Sequence, residues 1–282
     1  MPRIGSIILM PREVSWMSLA WKRALALLAV LAAGCAGPAT APAPEARAAL
    51  APAGKLRVGL YPGSPTSYIP AAAGGEAKGV GYEVGREMAA RLGVAFEPTV
   101  FPANAQLLDA VKAGQVDVLL TNATEERRRF IDFSATLIEL EKGYLVPAGS
   151  PIADAAAVDR DGVRVGVSKG SSSERELAGV LHHAKLVPAP SLEEAGRMLS
   201  QGKIDAFGTN KAILFEMSDN LAGSRVLPGV WGHESFALGV PKGRDAGHAW
   251  LQSFVRTARA EGVVSRAAQR AGLRGTTADA VK

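Results

Sequence analysis

Ala113-Gly-Gln-Val-Asp117-Val-Leu-Leu-Thr121-Asn122 and Gln201-Gly-Lys-Ile-Asp205-Ala-Phe-Gly-Thr209-Asn210 align without a gap, and their likeness decides the fold. Gly, Asp, Thr and Asn recur at the same offsets, with Val against Ile where an apolar run begins. In each copy a glycine closes a helical pattern and the apolar run after it reads as a buried strand. Outward from the first copy, Leu56–Leu60 reads as a strand and Tyr82–Leu92 as a helix, with Val84, Met88 and Leu92 at four-residue spacing. A strand at Val94–Phe101, a helix at Asn104–Ala113 and a strand at Val116–Leu120 complete the unit. The second copy ends the same series. It runs through a strand at Val163–Val167, a helix at Ser173–Leu181 opened by the capping box Ser173-x-x-Glu176, and a strand at Lys185–Pro188. A helix capped by Ser191-x-x-Glu194 then runs to Gly202, before a strand at Ile204–Phe207.

Two β-α-β-α-β series imply an α/β protein of two lobes, each built on a parallel sheet with right-handed crossovers. Ligands of such sheets bind beyond the carboxyl ends of the strands. Thr121-Asn122 and Thr209-Asn210 are expected there, facing each other across an inter-lobe cleft. Each Asn would serve equally as the N-cap of a following helix, and the two roles are compatible.

The formal charge of +5 is misleading, because its excess sits at the start of the chain. Residues 1–35 carry Arg3, Arg12, Lys22 and Arg23 against Glu13; without them 28 Lys+Arg face 26 Asp+Glu, a net of +2. A near-neutral body gives no electrostatic case for nucleic acid, and Arg127-Arg128-Arg129 alone is no groove-tracking stripe. Lys22-Arg23 followed by the apolar run Ala24–Ala33 reads as an export leader, too short to span a bilayer. Met17 is an alternative start. Leu31-Ala-Ala-Gly-Cys35 closes the run with the sole cysteine of the chain and is similar to a bacterial lipobox, although Ala32 stands where Leu is usual. It predicts lipidation of Cys35 and a membrane contact through that anchor alone. The other reading is a plain signal peptide cut after Ala48. Either way the protein is exported, without an internal disulfide framework. The Ala/Pro-rich stretch 36–54 is expected to be a semi-extended tether, with the folded part starting near Lys55.

From these motifs the chain resembles the bacterial extracellular solute-binding proteins of family 3, which serve polar amino-acid importers. The likeness covers roughly residues 55–275. Its most specific element is Thr124-Glu-Glu-Arg127-Arg-Arg-Phe-Ile-Asp132-Phe133-Ser134, supported by Gly79-x-Gly81-Tyr82-Glu83-Val84, Leu92-Gly93, Gly170-Ser171-Ser172 and Gly202-x-Ile-Asp205-Ala206. The resemblance implies a type II-like periplasmic-binding fold whose lobes close on the ligand, with crossover strands near Leu145–Pro147 and Ala237–Pro241. Residues 55–146 with 242–282 would form lobe 1, and 147–241 lobe 2. It also implies a monomeric, periplasmic or envelope-bound subunit that passes a small solute to the permease subunits of an ABC importer, without catalysis, cofactor or metal. Arg127 would grip a ligand carboxylate through its planar fork, aided by a helix N-terminus at Thr124. Tyr61, Ser64, Thr66, Ser67, Thr121, Asn122, Thr124, Ser171, Ser172 and Asn210 would complete the site.

Two departures bear on the ligand. Asn210 stands where amino-acid binders of the family usually carry an Asp for the α-ammonium, and a neutral amide cannot neutralise a buried ammonium. Gly63-Ser64-Pro65-Thr66-Ser67 replaces the usual stacking aromatic, with Tyr61 and Tyr68 beside it. The expected pocket is therefore rich in hydroxyls and amides, holds one Arg and no clear acidic partner, and favours an anion or a polar, weakly basic solute. Glu83, Glu125 or Glu234 is available as a replacement carboxylate.

Two enzyme patterns stand beside the binder. Gly166-Val-Ser168-Lys-Gly170 matches G-x-S-x-G, with Asp205 or Asp219 and then His233 or His248 in α/β-hydrolase order. The helix after it starts too late for a nucleophile elbow, and no oxyanion-type glycine run precedes it. An exported dehydratase of a cyclic prephenate-like acid, on the same fold, would need an acid such as Glu83, Glu125 or Glu174 in the cleft. His182-His183 are adjacent and show no metal-ligand spacing with His233 or His248.

Overall fold

The computed structural model describes residues 44–72 and 75–277; the leader, Cys35 and the first part of the expected tether lie outside them. The described chain opens with helix α1 (Pro44–Leu50) and continues through β1 (Lys55–Leu60), α2 (Val80–Leu92), β2 (Ala95–Val100), α3 (Asn104–Lys112) and β3 (Val118–Asn122). A 3-10 turn (Arg127–Arg129), β4 (Ile131–Phe133) and the long β5 (Ile138–Val146) follow. The second series is β6 (Arg164–Ser168), α4 (Ser172–Val180), β7 (Lys185–Ala189), α5 (Leu192–Ser200), β8 (Ala206–Asn210) and α6 (Lys211–Asp219). The short β9 (Arg225–Val226), β10 (Gly232–Pro241), α7 (Asp245–Ala260) and α8 (Val263–Arg270) end it.

The strands run in the order β2-β1-β3-β10-β5-β8-β6-β7. In each half the first strand lies parallel between the next two: β1 between β2 and β3, β6 between β7 and β8. The fourth strand of each half is antiparallel and is a crossover, β10 on β3 and β5 on β8. The fold is thus two-lobed α/β, with the lobes joined along β5 and β10, which also pair with each other. Every residue of β3 and β8 is buried, as expected of inner strands covered on both faces. Val84, Met88 and Leu92 of α2 are fully buried in the lobe 1 core, as their spacing predicts, and Val80 extends the stripe one turn earlier.

The Asp of the repeated motif is a structural clamp in both lobes. Asp117 accepts hydrogen bonds from the backbone N–H, Nε and Nη2 of Arg57 at 2.9, 2.8 and 2.7 Å. Asp205 accepts the same three from Arg164 at 2.8, 2.9 and 2.7 Å. Each clamp ties the first strand of its lobe to the loop that enters the third. Asp117 is wholly buried and takes a further bond from Arg244 at 2.9 Å.

Several local expectations shift. Part of the expected tether is helix α1, because Ala46 and Leu50, one turn apart, bury a stripe against α7. Gly247 permits that approach, since a Cβ there would lie 2.7 Å from Leu50. The third strands end two and three residues further than expected, at Asn122 and Asn210, so Thr121-Asn122 and Thr209-Asn210 are their last residues. The cap of α4 is Ser171, whose hydroxyl accepts from Glu174 N–H at 3.1 Å, while Glu174 reaches back to the Gly170 N–H at 2.5 Å. This is the capping-box logic two residues earlier than Ser173-x-x-Glu176. The crossover strands begin earlier too, at Ile138 and Gly232.

Candidate functional site

The repeated Thr-Asn pairs converge as the sequence predicts. Strand register explains how. Asn122 pairs with Phe236 on β10, Lys142 on β5 pairs with both Gly232 and Asn210, and Glu234 lies between Gly232 and Phe236. Because side chains alternate along a strand, Asn122, Glu234, Lys142 and Asn210 all fall on one face of four adjacent strands. The Glu234 carboxylate is their meeting point. Asn210 Nδ2 donates to its Oε1 at 2.7 Å, and Asn122 Nδ2 to its Oε2 at 3.0 Å. Ser172, at the start of α4, stands 3.4 Å from Oε2 and also accepts from Asn122 Nδ2 at 3.1 Å. The Asn122–Ser172 bond therefore spans the two lobes.

Arg127 is the second charged feature. It is 4% exposed; its Nη1 donates to Thr121 Oγ1 at 2.6 Å and to the Asn122 carbonyl at 3.1 Å. Its Nε is buried without a hydrogen-bond partner, leaving that edge of the guanidinium able to meet an anion. No α-helix starts at Thr124: the segment is a 3-10 turn, Thr124 Oγ1 accepts from the Arg127 N–H at 3.3 Å, and the expected helix-terminus contribution is lost. Arg128 and Arg129 point outward.

Burial decides the ionisation of the site. It pushes the Glu234 carboxyl above its ordinary value, against the pull of Lys142, Asn210 and Arg127. It also lowers the Arg127 pKa, with Glu234 the largest opposing influence, and raises that of Tyr61. Lys142 is 1% exposed; it lies 3.9 Å from Glu234, 2.5 Å from Glu176 and 5.1 Å from the Trp231 ring centroid. A chain of alternating charge, Arg127–Glu234–Lys142–Glu176, leads from the cleft to the surface.

Of the sequence-predicted residues, Tyr61, Thr121, Asn122, Arg127, Ser171, Ser172 and Asn210 line one cavity of ≈ 40 Å³, together with Ser168, Thr209, Glu234 and Phe236. Thr124 does not, and neither do Ser64, Thr66 and Ser67. The latter three are fully buried in the loop after β1, where Ser64 and Thr66 bond each other at 2.9 Å and Ser67 Oγ accepts from Tyr61 N–H at 3.0 Å. That loop packs against Gly79, whose φ of 137° and 2.3 Å gap from a notional Cβ to Ser67 O admit only glycine. Asn210 caps α6, its side-chain oxygen accepting from Ile213 N–H at 3.1 Å, while its amide nitrogen serves the cleft; Asn122 caps no helix.

The remaining acids divide clearly. Glu83 pairs with Arg86 and Arg270 at 2.7 and 2.9 Å in lobe 1, Glu125 is an exposed partner of Arg128, and Glu174 closes the α4 cap. Only Glu234 of the three available replacements lies in the cleft, so the expectation of a pocket without an acid is corrected. Lys142 was missed, although it shares strand parity with the inward-facing Ile138 and Leu140. The hydrolase residues stay apart: Asp205 is held by Arg164, Asp219 by Arg274, and His248 contacts the Phe133 carbonyl at 2.9 Å. Among the described residues no three His, Cys, Asp or Glu side chains converge as a metal-ligand set.

Known proteins share this fold. A glutamine-binding protein of an ABC transporter from Bacillus subtilis (strain 168), GlnH, is 26% identical over 151 residues, covering 53% of this chain and 55% of the relative. A glutamine-binding protein from Geobacillus stearothermophilus is 28% identical over 131 residues, covering 46% and 50%. The chain thus spans about half the length of the curated relatives it matches. The crystal structure of an amino-acid ABC transporter substrate-binding protein from Streptococcus pneumoniae, bound to L-arginine, superposes with a TM-score of 0.71 at 22% identity, covering 82% of this chain and 99% of that one. The family model for bacterial extracellular solute-binding proteins, family 3, matches residues 56–272, which take in both crossover strands. The chain belongs to that family.

Proposed function

We propose that this protein captures a zwitterionic α-amino acid outside the cytoplasm and hands it to the permease of an ABC importer. The observation that carries this is the pairing, in one closed cleft, of a buried Arg127 with a free Nε and a buried Glu234 carboxylate. An α-carboxylate meets the guanidinium and an α-ammonium meets Glu234, so both charges of the solute are desolvated against a partner. Glu234 supplies from β10 the charge that Asn210 lacks, and the preference for a plain anion gives way. The relatives' names, which speak of glutamine, and the arginine bound in the Streptococcus pneumoniae structure support the same class.

Anchoring at Cys35 belongs to this reading. Helix α1 packs into lobe 1, and a signal-peptide cut after Ala48 would remove most of it, which favours processing at Cys35 instead. Labelling with a fatty-acid analogue should mark the wild-type chain and not Cys35→Ser; an unlabelled, freely soluble wild type contradicts anchoring.

A thermal-shift screen of amino acids tests the function. A true ligand at 100 times its Kd adds about 2.7 kcal/mol of stability, and it must be recovered unchanged. Arg127→Lys keeps the charge but loses the fork and should weaken binding at least tenfold, whereas Arg129→Ala should leave it unaltered. Consumption of the solute with turnover, or full affinity in Arg127→Ala, contradicts the proposal.

A further inference from the structure

The cavity at Arg127 and Glu234 is small. Its ≈ 40 Å³ holds about three or four waters at roughly 10–15 Å³ each, which suits a carboxylate, an ammonium and the carbon between them. A longer side chain has to leave it. Pro102 and Leu192 line this cavity and also a second one of ≈ 560 Å³, which opens between the lobes. The walls of the second cavity are largely carbon: Pro62 and Gly63 come from lobe 1, Leu192, Met217 and Leu221 from lobe 2. Arg197 also reaches it, but its guanidinium is occupied by Glu193 and Glu194 at 3.4 and 2.6 Å. Glu216 lines it without an ion pair among the described residues.

We propose that this second cavity is a side-chain subsite, and that the solute is an α-amino acid with a long, unbranched, apolar side chain. The inference rests on the zwitterion reading of the cleft and adds to it where the rest of the molecule goes. The head group sits at Arg127 and Glu234, and the chain passes between Pro102 and Leu192 into the apolar groove. Sites of this kind combine a few placed polar groups with a mainly apolar wall. Each methylene moved from water onto such a wall tightens binding about fourfold.

Gly196 provides the test. It lies on α5 in the wall of the groove and does not line the cleft. A Cβ there meets only Met217 Cε, at 4.0 Å, and the backbone is ordinary helix, so Gly196→Phe fills the groove without straining the fold. The purified protein and this variant are titrated calorimetrically with L-alanine, L-norleucine and L-lysine. The wild type should bind norleucine at least tenfold tighter than alanine. Gly196→Phe should abolish that advantage and leave alanine within twofold. The subsite is overturned if alanine binds as tightly as norleucine, or if norleucine keeps its advantage in Gly196→Phe. Lysine binding tighter than norleucine overturns the apolar class and points to Glu216. Binding of none of the three removes the zwitterion reading, and the subsite with it.

Discussion

The Asn210 amide donates a 2.7 Å hydrogen bond to the Glu234 carboxylate while its own oxygen caps helix α6. One side chain thus fixes both a helix of lobe 2 and the acid at the centre of the cleft. Its counterpart in lobe 1, Asn122, holds the other carboxylate oxygen. The two ends of the repeated sequence motif therefore grip one residue from opposite lobes.

Asn210→Asp keeps the cap, since aspartate accepts at an N-cap as well as asparagine, but replaces a donor by a second carboxylate beside Glu234. Two such acids cannot both ionise cheaply. We expect a loss of about 2 kcal/mol at pH 8, shrinking towards pH 5 as one proton is shared, in chemical denaturation at both pH values. Equal stability of variant and wild type at pH 8 would break the assigned contact.

Glu234 also predicts opposite pH trends for stability and affinity. Its folded pKa is raised above the ordinary glutamate value of 4.5, so in that window the native state holds more protons than the unfolded one. Its contribution to stability is then full below that value and is lost as pH rises through the folded pKa. Binding of an ammonium needs the carboxylate, so affinity should fall as pH drops through the same range. Glu234→Gln should flatten both trends. Parallel urea titrations and binding isotherms between pH 4 and pH 8 check this; trends unchanged in Glu234→Gln would assign them elsewhere.

The two motif aspartates should differ in weight. Asp117 has no exposed side-chain surface and serves Arg57 and Arg244, whereas the Asp205 side chain is 35% exposed and serves Arg164 alone. Asp117→Ala removes a buried hub, leaves two half-buried guanidiniums without their partner, and should cost about 2–3 kcal/mol. Asp205→Ala should cost about 1 kcal/mol or less. Comparable losses in denaturation midpoints would show that burial does not separate them.

Much of this was legible in the sequence, for identifiable reasons. The duplicated Gly-x-x-Asp…Thr-Asn pattern carries the two-lobe fold, because each copy encodes a helix end, a clamp and a strand end at fixed offsets. Arg127 was legible from its motif. Glu234 was legible only as one of three acids, because choosing it depends on the register of β10 against β3, which no local pattern records. Lys142 could have been found by extending the parity of Ile138 and Leu140 by one step. Ser64, Thr66 and Ser67 misled because hydroxyl-rich composition does not say which way a hydroxyl turns. Here they turn inward to satisfy a buried loop. Helix α1 was hidden by alanine and proline content that reads equally as tether.

The central claim is that one cleft holds both charges of an amino acid, with Glu234 on the ammonium. It is tested most directly by calorimetric titration of wild type and Glu234→Gln with the best-bound α-amino acid and its des-amino counterpart. The wild type should bind the amino acid at least 30-fold tighter than the des-amino acid, as loss of a buried charge partner worth about 2 kcal/mol or more requires. Glu234→Gln should lose most of that difference. A wild type that binds the des-amino acid as tightly as the amino acid, or a Glu234→Gln variant that keeps the full preference, would contradict the account.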